Sequence, residues 1–101
     1  MKIKSGVRVL GVRPEMVLAL IIAESIYDDL QEDFRLTSCV EGVHSRASIH
    51  YAGGAGDTSR PADLVRATVL VTRLRESLGN DFDVILESDH IHIEFQPKDP
   101  L

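Results

Sequence analysis

Apolar residues recur at steps of four and three from Met16 through Leu20, Ala23 and Tyr27 to Leu30. That spacing predicts one buried face of a helix. Pro14 suits its first turn, and Glu15 lies at the positive end of its dipole. Val17, Ile21 and Ile26 widen the predicted apolar face, while Glu24, Asp28 and Asp29 form the polar side of the second half. The period then changes from helical to two. Phe34 to Val40 alternates and is rich in strand formers, and Gly42 ends the run. His44 to Ser48 reads as a loop, and Ile49 and Tyr51 flank His50 in a short predicted strand. Gly53 and Gly54 allow close backbone approach, and the small Ala55 and Gly56 read as a crowded path to Asp57. A second helix is predicted from about Pro61 to Leu78. Leu64, Ala67, Thr68, Val71, Leu74 and Leu78 lie on one side of it, and Gly79-Asn80 is its stop signal. Phe82 to Leu86 and His90 to Gln96 read as strands joined at Glu87-Ser88-Asp89, a hairpin. Residues 1–12 alternate weakly, as an edge strand or an arm, and Pro97 and Pro100 mark a loose tail. The order helix, strands, helix, hairpin predicts an α+β domain, an antiparallel sheet packed by two main helices.

Composition narrows the class. A chain of 101 residues has room for one domain, residues 1–101, with a small core to which a bound metal adds stability. The net charge of −5 argues against a nonspecific nucleic-acid binder, which needs a basic face. No apolar run approaches ~20 residues, so no membrane-spanning helix is expected. The two lysines near the N-terminus precede no apolar signal core, so synthesis in the cytoplasm without a signal peptide is expected. Cys39 is the single cysteine, which leaves no internal disulfide and no cysteine zinc finger. Its alternating apolar surroundings suit a buried small hydrophobe. A catalytic thiol is the lesser reading, since nothing nearby activates it.

All four histidines fall in two short blocks, each with carboxylates: His44 to Asp57, and Glu87 to Glu94. Imidazoles with a carboxylate suit a catalytic zinc site of three protein ligands and one open position. His50, Asp57 and His92 can supply the three. A carboxylate beside the bound water is then needed to move its proton. Asp89 is the candidate, provided that it sits in the turn, because strict alternation puts Asp89 and His92 on opposite faces. Glu87 is its rival. Each piece also has a plainer reading. A lone histidine such as His44 is usually solvated, His90 and His92 alternate with Ile91 and Ile93 on an exposed sheet face, and Asp57 can cap a turn.

Ser48-x-His50-x-x-Gly53-x-Ala55-x-Asp57 resembles the S-x-H-x-x-G-x-A-x-D motif of the zinc D-Ala-D-Ala metallopeptidase family. That family includes D,D-carboxypeptidases, D,D-dipeptidases and the L-Ala-D-Glu endopeptidases of phage endolysins. Asp89-His90-x-His92 is similar to its second motif. Gly42-x-His44-Ser45, Ser48-x-His50-Tyr51 and Glu87-Ser88 before His90-Ile91-His92 also resemble the Hedgehog signalling domain, which shares that family's fold and zinc site. The resemblance runs from the first helix to about Pro97 and implies a Hedgehog/DD-peptidase-like fold. It implies His50, Asp57 and His92 as zinc ligands and Asp89 as the base. It places His44 and His90 near the metal without ligating it, and Arg46 and Ser48 toward substrate; Arg46 also reads as a surface arginine. Glu87 is expected to support the loop. Gly54 departs from the family, where a larger and often basic residue is common, as do Gly56 and Thr58, where apolar residues are usual beside the aspartate. These departures bear on substrate recognition more than on metal binding.

The expectation is therefore a zinc-dependent peptidase of bacterial cell-wall peptides, a minimal phage-type form that acts after release or as part of a phage particle. Two alternatives from other classes stand beside it. One is a zinc-stabilised binding module that has lost catalysis, and the other is a metal-free structural domain. Retention of Asp89 favours the enzyme.

Overall fold

A computed structural model of the protein describes residues 1–7, 11–39 and 54–97. Pro14 opens α1 (Pro14–Asp29), where its fixed φ fits the first helical position and its missing N–H is no loss. The helix stops through a Schellman-type ending. Glu32 N–H donates to Tyr27 O at 2.8 Å and Gln31 N–H to Asp28 O at 3.0 Å, with Gln31 at a φ of 58°. Of the predicted apolar face, Met16, Leu20, Ala23, Ile26 and Tyr27 are buried. Val17 and Ile21 are corrections to it, since both are exposed. The apolar residues of α1 run most of the way round the helix, so their spacing alone does not say which side meets the core.

The second helix, α2 (Leu64–Leu78), starts later than predicted. Asp63 is its N-cap and accepts from Val65 N at 3.2 Å. Pro61 and Ala62 stand outside, their carbonyls taken by Arg60 Nε (2.8 Å) and Nη2 (3.4 Å). Leu64 is therefore at the exposed first turn, not on the buried side. The buried stripe is Ala67, Leu70, Val71 and Leu74. Gly79 ends the helix at a φ of 82°, as the stop signal predicts.

The strands are β1 (Lys2–Ile3), β2 (Arg35–Ser38), β3 (Ala55–Thr58), β4 (Phe82–Leu86) and β5 (Ile91–Phe95). They form one sheet in the order β1-β2-β3-β5-β4. The fold is α+β, with a mixed sheet where an antiparallel one was predicted. β1 runs parallel to β2, because α1 carries the chain back across the sheet between them, as parallel neighbours require. The other pairs are antiparallel, and β4–β5 is the predicted hairpin. β3 was not predicted as a strand. Gly56 faces Met16 and Leu36, and a Cβ there would meet both at an ordinary 3.6 Å, so at this position the small residue is not forced by crowding. Arg75, from α2, donates through Nε (3.0 Å) and Nη2 (2.7 Å) to Val84 O on the outer edge of β4.

Both helices cover one face of the sheet. Met16, Leu20, Tyr27, Leu70 and Leu74 meet Leu36, Val84, Ile91 and Ile93 in the core. Cys39 is buried, as expected of a small hydrophobe. Tyr27 O–H lies 2.8 Å from Thr58 Oγ1 and donates to Ser59 O at 2.6 Å. Burial pushes the Tyr27 phenol up to about 12. These bonds pin the end of β3 from beneath. Among the described residues no helix is long and apolar enough to cross a membrane.

Candidate metal centre

Alternation along β5 sends Ile91 and Ile93 into the core and His92 and Glu94 to the opposite face. The same logic in β3 turns Thr58 inward and Asp57 outward. The register pairs Asp57 directly with His92. Phe95 N–H donates to Gly54 O at 2.6 Å, and counting along from that bond makes Asp57–His92 a narrow, non-hydrogen-bonded pair. Side chains approach most closely in such pairs. On the other side of β3 the register shifts between Leu36 and Ser38, a bulge that opposes Ser38 to Asp57. Thr37, inside it, donates its hydroxyl to Asp57 O at 3.2 Å. Asp57 is thus held by its main chain on one side and faces an imidazole on the other.

A line of alternating acids and imidazoles results. Asp89 Oδ1 is 2.6 Å from His90 Nδ1, and His90 Nε2 is 3.6 Å from Asp57 Oδ1. Asp57 Oδ1 accepts from His92 Nδ1 at 2.7 Å, and Glu94 Oε1 accepts from His92 Nε2 at 2.9 Å. With a carboxylate on each ring nitrogen, His92 is held as imidazolium. Its pKa is pushed up to about 9, first by the Asp57 hydrogen bond, against the opposing effect of burial, and then by Glu94. A metal ion at Nδ1 would have to displace that proton.

Asp89 sits in the loop before β5 begins, the position that the expectation of a base set for it. Its side chain is 84% exposed, and its hydrogen bond to His90 holds the carboxyl below the usual range. His90 shares the face of Asp57 and His92. Glu87 closes the loop through its main chain, its N–H donating to His90 O at 2.9 Å and its carbonyl accepting from Arg60 Nη1 at 3.0 Å. Both bonds belong to the main chain and leave the role of the Glu87 side chain untested. His44, Arg46, Ser48 and His50 lie outside the described residues.

The structure therefore brings together Asp57 and His92 of the expected zinc ligands, with His90 beside them and Asp89 tied to His90. Among the described residues no group of three or more His, Cys, Asp or Glu forms a metal cage. The expected set needs His50 as its third member. Asp57 and His92 are donor types that zinc takes, a carboxylate oxygen and an imidazole nitrogen in contact and partly open to solvent, and they are two of the three protein ligands that such a site requires. Two residues were missed from sequence. Glu94 carries a signal, since a step of two from His92 on a strand puts it on the same face. Arg60, which joins the start of α2 to the Asp89–His90 loop, carries none. No family model matches the chain, and no curated protein matches it.

Proposed function

We propose that the protein is a zinc-dependent peptidase acting on bacterial cell-wall peptides, with a Hedgehog/DD-peptidase-like fold. One observation carries the reading: residues 35 apart in sequence, Asp57 and His92, meet as a cross-strand pair with Nδ1 against the carboxylate at 2.7 Å. Both come from the two motifs that the resemblance singles out. Asp57, His92 and His50 would hold zinc, and when bound it supplies a Lewis acid and a water acidified to a pKa of about 7. Asp89, in the solvent-open loop, takes a proton from the attacking water and returns it to the leaving amine nitrogen. His90 orients Asp89 through the 2.6 Å bond. Arg46 and Ser48 contact the peptide.

The test is digestion of purified peptidoglycan, with released fragments identified by mass spectrometry. Zinc-loaded protein should release peptide fragments. Asp89→Ala should keep zinc and lower hydrolysis by about 10²–10⁴-fold, whereas His92→Ala should lose both. No cleavage of any wall peptide with zinc in place would sink the enzyme reading. A second reading is favoured by the exposed, hydrogen-bonded and acid-shifted state of Asp89. In it the domain is a zinc-stabilised binding module, and Asp89 serves only as a partner for His90.

A further inference from the structure

Glu94 is an odd residue for its position in the sheet. It lies opposite Asp83 across the β4–β5 ladder, and like charges directly opposite one another destabilise a sheet. It is nevertheless less exposed than the site residues on the same face, at 13% against 25% for His92 and 24% for Asp57. Both of its oxygens are engaged: Oε1 accepts from His92 Nε2 at 2.9 Å, and Oε2 accepts from Gln96 Nε2. Sheet stability alone does not call for a carboxylate here, but control of the His92 ring does. An imidazole has two possible ligand nitrogens, and the partner of one decides which is left for a metal.

We propose that Glu94 is a positioning residue for the metal centre. It anchors the His92 ring at Nε2, so that Nδ1 is the nitrogen presented beside Asp57. Gln96 holds the carboxylate from behind, which makes the pair a strut along one edge of the site. The inference rests on the zinc reading of Asp57 and His92 and does not depend on hydrolysis.

The experiment measures zinc affinity against a chromophoric chelator for the wild type, Glu94→Gln and Glu94→Ala. It also uses ¹⁵N NMR of the zinc-loaded proteins to identify which His92 nitrogen carries the metal. Glu94→Ala should lose about 10–100-fold in affinity, with His92 no longer confined to Nδ1 ligation. Glu94→Gln, whose amide oxygen still accepts from Nε2–H, should keep Nδ1 ligation and most of the affinity. If Glu94→Ala does not fold, as judged by circular dichroism, Glu94→Met supplies a chain of similar length without the acceptor and should behave as Ala does. Zinc bound through Nδ1 with wild-type affinity in the Ala or Met variant overturns the proposal. So does wild-type ligation through Nε2. A wild type that takes up no zinc overturns this inference and the metal reading together. Zinc uptake without hydrolysis overturns only the peptidase reading, and the variant comparison still decides the role of Glu94.

Discussion

The two faces of β5 are built from the same five residues to opposite rules. Ile91 and Ile93 are fully buried against the helices. His92 and Glu94, one step away, lie partly open on the other face in a line of charged hydrogen bonds. Burial contributes stability on one side, and a pair of carboxylates holds an imidazole on the other. The lesson is that a site on paired strands takes its precision from the core beneath it. Asp57 and His92 meet because Thr58, Ile91 and Ile93 fix the register from below.

The largest effect should come from exchanging the rules across the faces. Ile93→Ala should cost about 2–5 kcal/mol of stability, read by denaturant unfolding. Compared above about pH 9, where the imidazolium no longer contributes, His92→Ala should cost the metal-free fold less than Ile93→Ala does, while removing zinc. Comparable unfolding midpoints for the two variants would break the division between faces.

A pH series of zinc affinity sharpens it next. On the zinc reading the metal would displace a proton from a ring whose pKa is raised from 6.5 to about 9. Apparent affinity should therefore rise about tenfold per pH unit below that value and then level off. The same shift acts on the metal-free fold with a fixed sign. Its stabilisation is fully present below about 6.5 and is lost as pH rises through about 9. Melting curves of chelated protein across that window should fall with rising pH, and a rise would reverse the assignment.

Tyr27→Phe tests the support from beneath. It removes the bonds to Thr58 Oγ1 and Ser59 O and should cost about 1–2 kcal/mol, with a smaller loss of zinc affinity as β3 loosens. The smallest effect lies away from both faces. Gln31 holds a left-handed φ of 58°, so Gln31→Gly should raise stability by about 0.5–1 kcal/mol and leave zinc affinity unchanged.

Local signals were readable where one residue decides the geometry. Pro14 and Gly79 mark helix ends, and period-two runs mark the β4–β5 hairpin. β3 was not readable because three of its four residues, Ala55, Gly56 and Asp57, are poor strand formers. It is a strand because β2 and β5 pair with it on both sides. Pro61 misled the start of α2, since Asp63 supplies a stronger cap two residues on. At the site, Asp57 and His92 stood out by motif. Glu94 was passed over although its step of two from His92 puts both on one face, because a carboxylate near a strand end reads as a solvated charge.

The outer edge of β4 has a consequence for how copies of this protein meet. Such an edge carries unpaired carbonyls and amides, a template on which another chain can build a strand. Ile85, 44% exposed there, adds stickiness. The guanidinium of Arg75 already occupies Val84 O with two hydrogen bonds. An incoming strand would have to evict that charge to take the same carbonyl. Among the described residues Arg75 thus closes one carbonyl of the β4 edge to an incoming strand, on the strand next to the one that carries His92.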